Sequence, residues 1–247
     1  MDFKIDWKGT DGDFFVHRID ATGKIWVPEV HVMHIMQGSL SGTDMWFNNR
    51  NVSASTHYGI GKKGAIHQYV RDEDAAWGNG FVTNYNWYGA KKYPNVNPNL
   101  YTLSYELEGM SGESPTEEQW AALMYLLNLK AATYNTPKTK DNFIGHYIID
   151  PVNRAGCPGK GFPWVRLYNE LGITTPKLTT NMPVLAFGAK GESVVYMQNQ
   201  LNKKEFRCGI ADGDFGKETL KAVINFQKTN NLDVDGVVGP VSWSYLI

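Results

Sequence analysis

The chain contains 247 residues, and its 24 lysines and arginines nearly balance its 25 aspartates and glutamates, giving a formal net charge of −1. So weak an overall field argues against a nucleic-acid partner and against an anionic membrane surface, both of which are recognised through basic patches. With 42% hydrophobic and 13% aromatic residues, the composition is typical of a folded globular protein. We therefore expect a partner that is recognised by shape.

The N-terminus, MDFKIDWKGTDGDFF, lacks the basic start and the apolar run of about 7–15 residues that a secretory signal requires. No segment approaches the roughly 20 consecutive apolar residues of a membrane-spanning helix. We expect a chain that is synthesised in the cytoplasm without a signal peptide and does not insert into a membrane. Cys157 and Cys208 are then expected to be separate thiols, because a reducing compartment disfavours disulfides.

Short apolar runs alternate with helical patterns over residues 1–173. In chain order the runs are EVHVMHIM, HYGI, AIHQYV, YTLSYELEG and NFIGHYII. Such alternation predicts an α/β domain with a mixed central sheet flanked by helices.

The first run contains two histidines, His31 and His34. Because side chains alternate between the two faces of a strand, only one of them can easily point into a given site. We favour His34, since Gln37, Gly38 and Ser39 follow it and mark the end of the strand, where sites tend to open. The alternative for each histidine is a hydrogen-bonded structural role among aromatic side chains.

The run YTLSYELEG places two acids, Glu106 and Glu108, on one face of an otherwise apolar strand. Burying two carboxylates is costly unless a site pairs or uses them. Either acid is therefore a candidate for acid–base chemistry, with an exposed strand face as the alternative.

The clearest helical pattern runs from Ser114 to about Tyr134. We expect Ser114 to be the N-cap, with Pro115 at the first helical position and Glu117 completing a capping box. An apolar stripe at helical spacing should then face the sheet. It comprises Trp120, Leu123, Met124, Leu127 and Ala131.

The stretch GHYIIDPVNRAGCPGKG places His146 at the end of an apolar strand and Cys157 in a loop rich in proline and glycine. Catalytic zinc sites use three protein ligands of N, S or O type and leave a fourth position for water. A single His–Cys pair is weak evidence for such a site. His34 is the best candidate for a third ligand.

Residues 174–183, TTPKLTTNMP, have the composition of an exposed connector. We place a domain boundary there, between residues 1–173 and residues 184–247. The C-terminal part contains two amphipathic helical patterns and two related turns, DGDFG and DGVVG, each followed by a helix start. This internal similarity predicts a small all-α domain of three helices.

Five motifs in order give the N-terminal domain a specific resemblance to a known family. They are VMHIMQG, VSASTHYGIGKKGAIHQYV, AAWGNG, NPNLYTLSYELEG and GHYIIDPVNRAGCPG. The segment from about Val27 to Leu171 resembles the zinc-dependent N-acetylmuramoyl-L-alanine amidases, a type shared by phage amidase lysins, bacterial muropeptide amidases and peptidoglycan recognition proteins. Residues 184–247 resemble the three-helix peptidoglycan-binding domain that accompanies cell-wall hydrolases.

The resemblance implies a Zn²⁺ ion held by His34, His146 and Cys157, and Glu106 as the acid–base group that activates water. The family usually carries a lysine two residues before the last ligand, to steady the developing oxyanion. That position is Ala155 here, and we expect the neighbouring Arg154 to supply the charge instead.

Substrate contacts are implied for His57 and Trp77, but their neighbours depart from the family pattern. Thr56 precedes His57 where some relatives have tyrosine, so Glu106 has to do more of the work. Gly78 follows Trp77 where the family often has histidine.

The function implied is hydrolysis, by zinc-activated water, of the amide between N-acetylmuramic acid and the L-alanine of the stem peptide of bacterial peptidoglycan. A monomeric phage or prophage endolysin, acting at the bacterial cell wall after release, is the favoured setting. A sporulation or autolytic amidase is the nearest variant. Alternatives are a catalytically inactive peptidoglycan-binding receptor, and a zinc peptidase acting on the stem peptide.

Overall fold

A computed structural model describes residues 3–9, 15–49, 51–173, 182–230 and 232–247. The chain divides into two compact units, Met1–Ile173 and Thr174–Ile247. Most of the predicted connector, residues 174–181, lies outside the described residues. Within the described ranges, no helix has the length and apolar character needed to cross a bilayer.

The first unit contains eight strands among its described residues, six of them in one mixed sheet. In chain order they are β1 (Ile5–Trp7), β2 (Phe15–His17), β3 (Val30–Ile35), β4 (Tyr58–Ile60), β5 (Ile66–Gln68), β6 (Asp74–Ala76), β7 (Thr102–Leu107) and β8 (Phe143–Gly145). The main sheet has the order β1-β5-β4-β7-β3-β8, in which β4 and β5 pair antiparallel and the other neighbours are parallel. Strands β2 and β6 form a separate antiparallel pair.

The helices described in the first unit are α1 (Leu40–Phe47), α2 (Tyr88–Lys92), α3 (Glu117–Tyr134), α4 (His146–Ile149) and α5 (Trp164–Glu170). The predicted apolar stripe of α3 is buried along its whole length. It packs in one core cluster with sheet residues such as Met33, Leu103 and Tyr105. The predicted α/β architecture, a mixed sheet flanked by helices, is therefore confirmed.

The predicted start of the long helix was wrong by two residues. The N-cap of α3 is Thr116, whose hydroxyl accepts a hydrogen bond from the Gln119 amide at 3.1 Å. The same hydroxyl donates to the carbonyl of Lys62, in the turn after β4. One side chain thus satisfies the helix end and a neighbouring loop together, which Ser114 does not do.

The second unit contains three helices within residues 182–230 and 232–247, as predicted. They are α6 (Glu192–Lys203), α7 (Lys217–Thr229) and α8 (Pro240–Leu246). Each contributes to a single apolar core, with Met197 from α6, Phe226 from α7 and Trp243 from α8.

The two DG turns of the second unit are built in the same way. At the first, the side chain of Gln198 accepts from the Gly213 amide at 2.9 Å and donates to Asp212 Oδ1 at 2.9 Å. The glycine is in the left-handed region, with φ +78°, which explains why this position is glycine. The second turn repeats these contacts, at 2.9 and 2.8 Å, through Gln227, Gly236 and Asp235.

We expect Gln227→Leu to destabilise the second unit by about 1–3 kcal/mol, because the buried amide of Gly236 would lose its acceptor. Urea unfolding followed through NMR signals of the second unit measures this. Gln200→Leu, at a half-buried position in α6, is the control and should change stability by less than about 0.5 kcal/mol. Equal stability of the two variants would contradict the proposed role of the buried glutamine.

Candidate active site

The site lies where three parallel strands end at one edge of the main sheet. In the register of β3 and β7, His34 is paired with Glu106. In the register of β3 and β8, Met33 is paired with Gly145, so that His146, the next residue, comes beside His34. The two imidazole ring centroids are 4.4 Å apart. Carboxyl ends of parallel strands are common binding sites, because side chains from separate segments converge there.

The loop after α4 carries Cys157 back to the two histidines. The Cys157 amide donates to the carbonyl of Arg154 at 2.9 Å, and the Tyr147 amide donates to the Cys157 carbonyl at 3.2 Å. From the loop after β7, Ser111 Oγ donates to the Gly156 carbonyl at 2.9 Å. These contacts fix the path of the loop on both sides of the thiol.

His34, His146 and Cys157 each offer one ligand atom, and these three atoms lie within 4.8 Å of one another. His146 Nε2 is 2.7 Å from the Asn79 carbonyl, so it carries the proton and leaves Nδ1 free to bind a metal. Burial lowers the pKa of both histidines, which keeps the imidazoles neutral. Two neutral imidazoles and a thiol form a donor set that fits zinc.

Burial, and then the negative charge of Glu106, raise the pKa of the Cys157 thiol to about 12. Without a cation the sulfur is therefore protonated. A bound divalent cation reverses this preference, because a coordinating thiol loses its proton.

Glu106 enters the same space from β7. Its Oε1 is 3.9 Å from His34 Nδ1, and among the described residues its buried Oε2 has no hydrogen-bond partner. Burial raises the pKa of this carboxyl group to about 7, although the charge of Arg154 opposes the shift. The other candidate, Glu108, instead accepts from the Lys62 amide at 2.7 Å and thereby fixes the turn after β4.

A cavity of about 670 Å³ opens over these groups. Arg154 is an exposed residue on its wall, and Trp77 lines it as well. A third wall is formed by α1, where Trp46 lines the cavity with 58% of its surface exposed. The structure thus brings six of the seven predicted site residues to one cavity: His34, Trp77, Glu106, His146, Arg154 and Cys157.

Two family models match the sequence of this chain. The sequence model of the N-acetylmuramoyl-L-alanine amidase family matches residues 26–160, and that of a peptidoglycan binding domain matches residues 190–246. The chain is 36% identical over 160 residues to the 1,6-anhydro-N-acetylmuramyl-L-alanine amidase AmpD of Haemophilus influenzae, covering 64% of this chain and 71% of AmpD. This chain belongs to the N-acetylmuramoyl-L-alanine amidase family.

Other relatives agree with this assignment. N-acetylmuramoyl-L-alanine amidase A of Achromobacter lyticus is 27% identical over 160 residues, which cover 56% of this amidase and 80% of that protein. Among solved structures, the fold is similar to that of AmiD from E. coli, with a TM-score of 0.57 and 17% identity over 94% of this chain and 95% of AmiD. A crystal structure of AmpD gives a TM-score of 0.54 at 21% identity, covering 69% and 94% of the two chains.

His57, expected to contact substrate, is the predicted site residue that does not line the cavity. It is 1% exposed, and Arg18 Nη2 donates to its Nε2 at 2.8 Å. Its Nδ1 is 3.1 Å from Ser104 Oγ. Burial and the charge of Arg18 lower the pKa of this histidine to about 3. His57 is therefore reassigned to the interior of the amidase domain, because both of its ring nitrogens are already engaged there.

The two departures from the family pattern have visible structural consequences. Thr56 is fully buried and its hydroxyl donates to the Ser104 carbonyl at 3.2 Å, so it does not line the cavity in place of the tyrosine that some relatives have. At Gly78 a Cβ atom would lie 3.1 Å from both Ser104 Oγ and the Ser55 carbonyl. The chain of this amidase passes too close to β7 there for a side chain to be added without a local shift.

Sequence reasoning missed Trp46 and Asn79. The signal for Trp46 was its place in the sequence, shortly after the predicted end of the His34 strand. Asn79 gave no such signal, because its contact with His146 is made by a backbone carbonyl.

Proposed function

We propose that this amidase is a zinc-dependent bacteriolytic enzyme. It hydrolyses the amide between the lactyl group of N-acetylmuramic acid and the L-alanine of the stem peptide. The observation that carries the proposal is the convergence of a His–His–Cys cluster and an incompletely hydrogen-bonded buried carboxylate at one cavity. The substrate bond follows from the family to which the chain belongs.

His34, His146 and Cys157 would hold the ion, since their donor atoms are close enough for one cation to reach all three. Zn²⁺ bound there would supply Lewis-acid chemistry, which would polarise the scissile carbonyl and lower the pKa of a nucleophilic water. The protein side chains then have two remaining tasks. One group must move a proton from the water to the leaving nitrogen, and another must balance the charge that develops on the carbonyl oxygen.

Glu106 is placed for the proton transfer. Its register position beside His34 brings the carboxylate to the metal-binding residues, and the strand fixes that placement. The carboxylate accepts the proton of the attacking water and donates it to the alanine nitrogen as the amide bond breaks. This transfer allows the leaving group to depart as a neutral amine.

Arg154 is placed for charge stabilisation. It lines the cavity, and its charge reaches the interior of the site, where it opposes the pKa rise of Glu106. We propose that Arg154 stabilises the developing oxyanion, as a lysine one position later in the loop does in relatives. Because its side chain is exposed, we expect a smaller contribution than that of a buried donor.

The second unit binds peptidoglycan and keeps the enzyme on an insoluble polymer, which raises the local concentration of scissile bonds. An amidase joined to a wall-binding domain suits a phage or prophage endolysin that acts as a monomer at the bacterial cell wall. Spore cortex-lytic enzyme of Bacillus cereus is 39% identical over 64 residues, which cover 26% of this chain and 25% of that enzyme. A sporulation or autolytic amidase is the nearest alternative setting.

Digestion of purified peptidoglycan should expose new alanine amino groups without new reducing sugar ends. Activity should stop when zinc is removed by a chelator and return when zinc is added. Cys157→Ser should lower zinc content and hydrolysis together, because serine is a poor zinc ligand.

Mass spectrometry of the products checks the bond that is cleaved. New reducing ends would identify a glycosidase, and amino groups from within the stem peptide would identify a zinc peptidase. Binding to the wall without any cleavage would identify an inactive receptor.

Glu106→Gln should lower kcat by roughly 10²–10⁴-fold, because the amide cannot accept the proton of the attacking water. Zinc content, measured by elemental analysis, should remain at the wild-type level. Glu108→Gln is the matched control, since glutamine retains an acceptor for the Lys62 amide, and it should remain active. Full activity in Glu106→Gln would remove this residue from the mechanism.

Arg154→Ala should lower kcat by up to about 10²-fold with little change in KM, because the lost charge acts mainly on the transition state. Arg154→Lys should recover part of this loss. Lys160→Ala, which removes another exposed cation from the same loop, is the control and should match wild type. Equal rates for wild type and Arg154→Ala would show that the family lysine has no counterpart in this loop.

A further inference from the structure

Two buried polar atoms next to the metal-binding residues have no hydrogen-bond partner among the described residues. They are His34 Nε2 and Asn79 Oδ1. Asn79 is only 1% exposed, so water does not readily satisfy its side chain. A buried donor or acceptor without a partner destabilises the folded chain, because it has lost its hydrogen bonds to water. An imidazole N–H is a donor and an amide oxygen is an acceptor, so one hydrogen bond between them would satisfy both atoms.

The position of Asn79 makes this pairing possible. Its backbone carbonyl is 2.7 Å from His146 Nε2, and the His146 ring is 4.4 Å from the His34 ring, centroid to centroid. The residue that contacts one histidine therefore lies beside the other.

The orientation of the Asn79 amide group is set by its own contacts. Nδ2 donates to Thr102 Oγ1 at 2.7 Å, at the first residue of β7. The backbone amide donates to Asn99 Oδ1 at 3.1 Å. Because Nδ2 is directed to Thr102, Oδ1 is directed away from it and is available to accept a hydrogen bond.

The two ring nitrogens of His34 have different surroundings. Its Nδ1 is the ring nitrogen near the Glu106 carboxylate, at 3.9 Å from Oε1. Nε2, the other ring nitrogen, is buried and has no hydrogen-bond partner among the described residues. A histidine that binds a metal through one nitrogen needs an acceptor for the proton on the other, and this acceptor fixes the tautomer.

We propose that Asn79 is a positioning residue for both histidine ligands. Its backbone oxygen accepts the Nε2–H of His146, and its side-chain Oδ1 accepts the Nε2–H of His34. Both rings then present Nδ1 to the metal. This inference rests on the proposed zinc site, and it assigns the contact with His34 to the side chain of Asn79.

The test compares wild type with Asn79→Ala in the full-length, zinc-loaded chain. Long-range ¹H–¹⁵N NMR reports which ring nitrogen carries a proton. In wild type, both His34 and His146 should carry it on Nε2. In Asn79→Ala the His34 Nε2–H should exchange faster with water, whereas that of His146 should be unchanged because the backbone carbonyl remains. Zinc release to a chelator should be roughly 10–100-fold faster.

Two further variants separate positioning from general loss of structure. Asn79→Asp returns an oxygen to the position of Oδ1 and should restore slow zinc release. Asn84→Ala removes a side-chain hydrogen bond to the carbonyl of Ile148 in α4, of 2.8 Å, but contacts no ligand. It should leave both histidine signals and zinc release at wild-type values.

A proton on Nδ1 of His34 in wild type would overturn the inference. Unchanged zinc release in Asn79→Ala, or equal acceleration in Asn84→Ala, would also overturn it. If the wild-type chain bound no zinc, the proposed function would fail, and the tautomer of His34 in the metal-free chain would still decide the role of Asn79.

Discussion

Parallel pairing of β3 with β7 and β8 is the constraint on which the site depends. The register places His34 opposite Glu106 and brings His146 in beside them directly after β8. These residues are separated by as many as 112 positions in sequence, so no local structure could bring them together. A shift of one residue in β3 would turn His34 to the other face of the sheet. The buried side chains of that face, and the packing of α3 on it, therefore stabilise the register and with it the site.

The other face explains why one histidine could be chosen from the sequence. His31 Nδ1 is 2.8 Å from the hydroxyl of Tyr105 and its ring is stacked on Phe143. Both histidines of β3 are buried. Alternation places them on opposite faces of the strand, and nearness to the strand end selects His34 as the candidate ligand. Glu106 and Glu108 could not be separated in this way, since they share a face. The turn after β4 distinguishes them, because the Lys62 amide in that turn donates a hydrogen bond to the Glu108 carboxylate.

Several features of the first unit could not be predicted because they depend on contacts between distant segments. His57 lies in a motif that is expected to contribute to the site, yet Arg18 donates a hydrogen bond to its ring. Arg18 directly follows β2, in a part of the sequence that contains no recognised motif. Arg18 is itself buried and donates to the carbonyls of Asp72, Leu100 and Thr102, at 2.7, 2.7 and 2.9 Å. By donating to all three carbonyls, this guanidinium group holds together the segment before β6, the segment before β7 and the first residue of β7. Strands β1, β2 and β6 were missed for the same reason, since each is defined by pairing with a segment that is distant in sequence.

The departure at Gly78 and the role proposed for Asn79 have one structural cause. With glycine at position 78, the backbone can approach β7 closely enough that an added Cβ would be 3.1 Å from Ser104 Oγ. The next residue then lies deep enough for its carbonyl to be 2.7 Å from His146 and for its amide group to bond Thr102. A large side chain at position 78 would move this segment outward and lengthen both contacts. The close approach of the backbone at Gly78 and the deep position of Asn79 therefore belong to the same local packing of this segment against β7.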